Sequence, residues 1–186
     1  MLESNRLRDN LRVFADPDHA SFTAFPASKA AARQAWADAF DDYFDQVEEG
    51  VTGPPPGHTG LITAGVDGAF FADLGLDPTL SAADAAADFA GAWKRGIQAV
   101  TFAAVTDSTG NIWTPTVFVA ATVTSLHATL LATLTARFSA PTSDALIRLG
   151  EIADAFHAAS SGLIATVTAV NSSGTPLPAI TTMTVR

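Results

Sequence analysis

The sequence contains no cysteine. Disulfide bonds, zinc sites built on thiolates and cysteine nucleophiles are therefore excluded. Charged residues are also scarce, at 16 % of the 186 residues, and only two of them are lysines. Soluble domains usually carry about a quarter charged residues, so we expect weakly polar surfaces, some of them covered by other subunits. A GC-rich genome would produce the same Ala- and Thr-rich composition without any such role, and both explanations stay open.

The chain also lacks an excess of positive charge. Its formal net charge is −9. The charge is segregated, because residues 1–90 hold 15 acidic and 5 basic side chains, whereas residues 91–186 hold 4 acidic and 5 basic ones. An acidic chain has no electrostatic footprint for nucleic acid, and anionic membranes disfavour it for the same reason. We therefore expect no direct nucleic-acid partner and no membrane partner.

No long apolar run is present. The first residues, Met1 to Arg8, do not resemble a signal peptide. The longest weakly polar segment, Pro115 to Leu134, contains His127 and five threonines, which is too polar for a membrane-spanning helix. The sequence thus predicts neither a secretory signal nor a membrane span.

Motifs that carry chemistry are missing as well. There is no Gly-x-Ser-x-Gly elbow to mark a nucleophile, and the histidines are too far apart in sequence for paired ligand spacing: His19, His58, His127 and His157. The densest carboxylate group, within residues 38–49, lies along one predicted helix, which cannot surround a hard cation from several directions. We expect a solvated acidic face, no metal site, no cofactor, no small-molecule substrate and no enzymatic activity.

What the sequence does contain is helical periodicity. In residues 28–49 the apolar side chains recur at the spacing of one helical face: Ala32, Trp36, Phe40, Tyr43 and Val47. Ser28 is a candidate N-cap and Gly50 a candidate stop. The sequence therefore predicts a long amphipathic helix around which the rest of the chain is organised.

Further helices are predicted on both sides of it. A short helix over 2–14 places Leu7, Leu11 and Phe14 on one face. Residues 61–75 predict a broken helix, and residues 81–102 a helix with a Ser81 cap. The next helix starts at Thr114-Pro115 and runs to Phe138, although its first residues are rich in Thr and Val and an extended start is the alternative. The last helix follows Asp144 and ends at Gly162.

The periodicity then changes to that of strands. Residues 163–170 and 179–185 are rich in β-branched residues and flank a turn at Asn171 to Pro176, which predicts a β-hairpin. The predicted fold is mainly α, a helical bundle of about four to five helices with a C-terminal β-hairpin. We divide it into an N-terminal helical arm (1–25), a helical domain (26–162) and the hairpin (163–186). Because an isolated hairpin is marginal in water, it should pack on the helices or pair with a partner's strand.

Two segments of the chain echo each other. Trp36-Ala-Asp-Ala-Phe40 and Ile152-Ala-Asp-Ala-Phe156 agree at four of five positions. Together with the Pro/Gly loop from Gly53 to Gly60 and the Thr/Val-rich tail, this pattern resembles small Ala-rich helical structural proteins of tailed-bacteriophage virions. The resemblance implies a virion protein, assembled in the host cytoplasm into a ring or lattice, that contacts other copies of itself and other virion proteins and carries no catalytic residues.

Four segments are predicted to form the interfaces of such a protein: the arm, the acidic helix of residues 38–49, the Pro loop and the hairpin. The arm would dock on the acidic helix of a neighbouring copy, the Pro loop would form a contact ridge, and the hairpin would bind by strand addition. The predicted interface residues are Arg6, Arg8, Arg12, Asp38, Asp42, Asp45, Pro54, Pro55, Pro56, Ile164, Thr166, Thr168, Ile180, Thr182 and Val185.

Two alternatives remain open at this level. The first is a helical-bundle module that binds a small apolar ligand between Phe70, Phe71, Trp93 and Phe118. The second is a module that binds a helical protein partner, such as a small, secreted, Trp-containing and Ala-rich protein that would bind a chaperone as a heterodimer.

Overall fold

The computed structural model describes residues 3–44, 49–51, 71, 74–77, 79–100, 102, 104–106, 109–140, 144–177 and 182–185. Within these residues five helices and five strands follow one another along the chain: α1 (Ser4–Ala15), α2 (Lys29–Phe44), β1 (Glu49–Val51), α3 (Ala82–Ala99), β2 (Val105–Thr106), β3 (Ile112–Phe118), α4 (Ala120–Ser139), α5 (Ala145–Ser160), β4 (Ile164–Val170) and β5 (Thr182–Val185). The predicted fold class, mainly helical with a C-terminal hairpin, is confirmed.

The hairpin lies inside a larger sheet. Strands β4 and β5 pair antiparallel, with Ile164 opposite Thr184 and Thr166 opposite Thr182. The turn after β4 is held by Asn171, whose Oδ1 accepts hydrogen bonds from the backbone N–H groups of Ser173 and Thr175. Around this hairpin the sheet order is β1-β5-β4-β3-β2, with antiparallel pairing throughout. Both hairpin strands therefore have neighbours on both sides.

The start of the fourth helix differs from the main prediction. The helix expected from Thr114-Pro115 begins only at Ala120, and residues 112–118 form β3 instead. The β-branched residues of this segment favour a pleated strand, and β4 offers it a ladder, since Thr114 lies opposite Thr168. Pro115 has no N–H to donate, and the pairing register shifts between Pro115 and Phe118. The extended start, left open as the alternative, is the one observed.

The end of the second helix also differs from the prediction. Ser28 caps its start as expected, because its Oγ accepts a hydrogen bond from the Ala31 N–H at 3.1 Å. The helix ends at Phe44, however, and Glu49 belongs to β1, opposite Val185 of β5. Pairing with β5 gives this backbone a hydrogen-bonding partner that helical periodicity does not reveal.

The remaining helix starts agree with the caps read from the sequence. The Oγ of Ser81 accepts from the Asp84 N–H at the start of α3, and the carboxylate of Asp144 accepts from the Leu146 and Ile147 N–H groups at the start of α5. Each side chain satisfies backbone donors that the first helical turn leaves unpaired.

An aromatic cluster fills the centre of the core. Phe40 of α2 lies 4.7 Å from Phe71 and 5.0 Å from Phe156 of α5 between ring centroids, and Phe89 of α3 packs edge-on against Trp36 at 5.0 Å. Of the face predicted for 28–49, Trp36, Phe40 and Tyr43 are buried and Ala32 is half-buried, whereas Val47 lies outside the described residues.

The first helix is part of this core. Leu7 and Leu11 of α1 are both 0 % exposed, and α1 lies against α2 and α5. The helix of the predicted arm thus contributes buried apolar surface to the common core.

Candidate functional site

One face of strands β3 and β4 presents an uncharged surface. Side chains on the opposite face of β3 and β4 are buried: Trp113, Phe118, Ala165 and Val167. Phe118 and Ala165 belong to the core cluster that includes the helices. Outward-facing positions remain accessible, with Ile112 39 % and Val117 60 % exposed. We call the outward-facing set the sheet face: Ile112, Thr114, Thr116, Val117, Ile164, Thr166, Thr168 and Val170.

Three of the four threonine hydroxyls of the sheet face, those of Thr116, Thr166 and Thr168, are already hydrogen-bonded within the sheet. Thr116 Oγ1 and Thr166 Oγ1 lie 2.8 Å apart. Thr166 Oγ1 also donates to the Val117 carbonyl at 3.1 Å, and Thr168 Oγ1 to the Thr114 carbonyl at 3.3 Å. Because these hydroxyls have partners, covering the face would not leave them unsatisfied.

The electrostatics of the sheet face set it apart from the rest of an acidic chain. Neither β3 nor β4 contains a charged residue. The sequence has no carboxylate between residues 108 and 143 or after Asp154. An exposed antiparallel sheet usually carries polar and charged side chains toward water, and charged residues are depleted at the centres of protein interfaces. The sheet face lacks charged residues, as the centres of protein interfaces do.

Both strands of the hairpin already have hydrogen-bonded neighbours on each side, which leaves no free edge there for the predicted strand addition. β4 lies between β3 and β5, and β5 lies between β4 and β1. Among the described strands the edges of the sheet are β1 and β2, so a partner's strand would add there and not to β4 or β5. Ile164, Thr166 and Thr168 are nonetheless brought to one surface, as outward-facing residues of β4. Thr182 and Val185 lie in β5, and Ile180 falls outside the described residues.

The arginines of the predicted arm make ion pairs within the chain. Arg6 donates from Nε and Nη2 to the Asp42 carboxylate at 3.2 and 3.0 Å, and Arg8 contacts both carboxylate oxygens of Asp154 at 2.9 Å. Such exposed pairs contribute about 0–1 kcal/mol, so exchanging one for the same pair between two copies costs little. Docking of α1 on a neighbour's acidic helix therefore stays a prediction.

Arg12 has a different environment, because its partner is buried. Its guanidinium donates to the Asp16 carboxylate at 2.6 and 2.8 Å, and Asp16 also accepts the Asp18 N–H. The Arg12 hydrogen bonds lower the pKa of Asp16 below its ordinary value, against the opposing effect of burial. This pair stabilises the end of α1 and the turn that follows it.

The other predicted interface residues divide between the surface and the residues that are not described. Asp38 is exposed on α2 and accepts a hydrogen bond from Gln34 one turn earlier, at 2.7 Å. Asp45 and Pro54–Pro56 lie outside the described residues, so the predicted Pro ridge stays a prediction.

The aromatic residues proposed to line a ligand pocket lie in the core. Phe71 and Trp93 are completely buried, and Phe118 packs against Phe102 at 5.1 Å. The indole Nε1–H of Trp93 donates to Ser160 Oγ at 3.1 Å. Among the described residues these three side chains are part of the packed core. Phe70 falls outside the described residues.

A surface groove lies elsewhere, between α4 and α5. Its volume is about 220 Å³, and it has an apolar floor and a charged end. Leu126, Leu130, Ala155 and Ala159 form the floor, and Arg137, Glu151 and Asp154 the end. The sequence did not indicate it, because no pattern shows which faces of two helices leave a gap between them.

Nothing among the described side chains resembles a metal site, since they form no group of three or more His, Asp or Glu that could hold an ion. No helix in the part of the chain that the structure describes is long and apolar enough to cross a membrane. Comparison with protein-family models, with curated proteins and with solved structures finds no match.

The residues of β3 are what sequence reasoning missed in this site. The main prediction placed Thr114, Thr116 and Val117 at a helix start, with an extended start as the alternative, and it gave Ile112 no element. The signal that indicates them is the β-branched run Thr-Pro-Thr-Val, which matches the composition of β4 and favours a strand.

Proposed function

We propose that this chain is a non-enzymatic structural protein that acts through contacts between subunits, as a component of a phage virion or a phage-tail-like particle. The observation that carries the assembly role is the sheet face, which is exposed, uncharged and internally hydrogen-bonded. The virion context rests on the resemblance of the sequence pattern to virion structural proteins of tailed phages.

The charge distribution supports contact between copies at this face. Two chains of net charge −9 repel each other at most orientations. Contact between two sheet faces brings no like charges of β3 or β4 together, and it desolvates methyl groups and hydroxyls that already have partners. The face is therefore one place where identical acidic copies can meet at low electrostatic cost.

The size of the sheet face sets the expected strength. Seven-residue strands span roughly 23 Å, and two strands span roughly 10 Å across the sheet. The resulting area of about 200 Å² is well below the roughly 800 Å² that each partner of a stable complex buries. We therefore expect weak association of isolated copies that becomes strong only when each copy touches several neighbours.

Sedimentation equilibrium over a wide range of protein concentrations tests this proposal. We expect the weight-average mass of the wild-type protein to rise with concentration, and to rise no less at high salt, because salt screens the repulsion between acidic copies. Val117→Lys and Thr168→Lys should abolish this rise by placing a charge on the sheet face.

Thr124→Lys serves as the matched control. It adds the same charge at an exposed position of α4 and should leave the rise unchanged. If the association weakens at high salt and survives both sheet-face variants, the arginine–carboxylate pairs are the contact instead. A monomer at every concentration would contradict self-assembly through this face.

The groove between α4 and α5 supports the alternative function of ligand binding. Its apolar floor suits a small apolar ligand. Native mass spectrometry of the same sample, without and with Ala155→Phe to fill the groove, distinguishes the two functions. A small molecule retained by the wild type and lost in Ala155→Phe would favour the ligand-binding function.

A further inference from the structure

One hydrogen bond joins the C-terminal end of α2 to the last turn of α5. The phenol oxygen of Tyr43 lies 2.8 Å from Nδ1 of His157, and the two rings meet edge-on at 6.2 Å between centroids. Tyr43 is only 1 % exposed, whereas His157 is half-buried. The imidazole thus has access to protons from solvent while its hydrogen-bonding partner does not.

The burial of the phenol fixes which partner can change its charge. Burial raises the pKa of Tyr43 above its ordinary value, so the phenol keeps its proton throughout the physiological range. The neutral imidazole can then accept a hydrogen bond from the phenol O–H at Nδ1. An imidazolium can only donate from Nδ1, to the phenol oxygen, so protonation of His157 would leave the buried phenol O–H without its acceptor.

The charged groups nearest in sequence to the pair lie on α2 and α5, and their partners lie on α1, α4 and α5. Asp154 lies one turn before His157 on α5 and is held by Arg8 of α1. Asp42, next to Tyr43 on α2, is held by Arg6 of α1. Farther along α5, Glu151 is paired with Arg137 of α4 and with Arg148. These carboxylates are all engaged with arginines.

The balance of these effects favours neutral His157 near neutral pH. Burial lowers the pKa of His157, and the Asp154 carboxylate opposes this shift. The C-terminal end of α5 also favours the imidazolium, whereas a hydrogen bond from the phenol favours the neutral ring.

We propose that Tyr43 and His157 form a pH-sensitive latch, which holds the end of α2 on α5 while His157 is neutral and releases it when His157 is protonated. The latch acts on a segment that leads into the sheet, because β1 follows α2 and pairs with β5. Acidification would thus loosen the end of α2, which precedes the strand β1 in the chain.

The direction of the pH dependence follows from the lowered pKa of His157. In the unfolded chain this histidine titrates near 6.5. Above that pH its contribution to stability is fully present, and it is lost as the pH falls from 6.5 through the lower value of the folded protein. The latch is therefore closed at neutral pH and opens under acidic conditions.

An NMR titration of the His157 ring protons tests the latch directly. We expect His157 to titrate below 6.5 in the wild type. Tyr43→Phe removes the hydroxyl and keeps the ring, and it should raise the pKa of His157 by about half a unit or more, a roughly threefold change in proton affinity. An unchanged pKa, or one that falls because Nδ1 was the donor, overturns the proposal.

Hydrogen exchange gives a second, local measurement that does not depend on the Tyr43 variant folding well. After correction for intrinsic rates, amide exchange in residues 41–44 should be at least threefold faster at pH 5.5 than at pH 7.5 in the wild type. His157→Asn, which cannot titrate, should remove this difference, whereas His127→Asn on α4 should preserve it. Equal protection of residues 41–44 at both pH values in the wild type would contradict the latch.

Discussion

Two adjacent serines at the end of α5 have opposite environments. Ser160 is completely buried and accepts the hydrogen bond of the Trp93 indole, which joins α5 to α3. Ser161 is half-buried and donates to the Ala158 carbonyl of its own helix at 3.3 Å. The burial of the indole makes the first hydrogen bond costly to lose.

We therefore expect Ser160→Ala to lower the free energy of unfolding by about 1–3 kcal/mol, because it leaves the Trp93 N–H buried without an acceptor. Ser161→Ala should change it by no more than about 0.5 kcal/mol. Urea denaturation monitored by tryptophan fluorescence measures both. Equal effects of the two variants would mean that the indole finds another acceptor.

At the scale of elements, α1 shows how a short amphipathic helix becomes part of a core. It has twelve residues, which is marginal for an isolated helix in water. Its buried face, with Leu7 and Leu11, supplies the stability that propensity alone does not, and the pairs with Asp42 and Asp154 align it on α2 and α5.

Substitutions on the buried face and on the exposed face of α1 test whether α1 is a core helix or an arm. Leu11→Ala should lower the free energy of unfolding by about 2–5 kcal/mol, since it leaves a cavity among buried side chains. Val13→Ala, on the more exposed face, should cost about 1 kcal/mol or less. Thermal unfolding followed by circular dichroism measures the difference. Small and equal effects would restore the description of α1 as an arm.

The element β3 shows where local sequence signals conflict. Thr114-Pro115 has the residues of a helix start, whereas Thr116 and Val117 favour a strand. Pairing with β4 decides in favour of the strand, because it places Trp113 and Phe118 in the interior and gives the backbone its hydrogen bonds.

At the scale of the whole molecule, the hairpin links the sheet to the helices and cannot be removed as a separate unit. β4 is the third of the five strands in the sheet order, and Leu163, Ala165 and Val167 contribute to the buried interior. A chain that ends at Gly162 should therefore fail to fold cooperatively, in place of forming a stable monomer that has lost its interface.

Circular dichroism and calorimetry of a chain ending at Gly162 check this expectation. The point variants Val117→Lys and Thr168→Lys should keep a cooperative transition, since both change exposed side chains. A cooperative transition in the shortened chain would show that the helices fold alone and that the hairpin is an appendage.

The sequence by itself determined the features that depend on local physics. Helical periodicity and side-chain caps located α1, α3 and α5 and the buried face of α2, and the β-branched tail with its Asn171 turn indicated the hairpin. The sequence also established the acidic charge and its segregation, which restrict where identical copies can meet.

Only the tertiary structure decided what depends on long-range pairing. The end of α2 and the strand character of residues 112–118 follow from partners in β5 and β4, far away in sequence. The strand pairing gives the hairpin a neighbouring strand on each side and joins β3 and β4 into the sheet face. The tertiary structure also brings Tyr43 of α2 to His157 of α5, 114 positions away in sequence. Local propensity cannot reveal such choices, because the stabilising hydrogen bonds and buried surface exist only once distant segments meet.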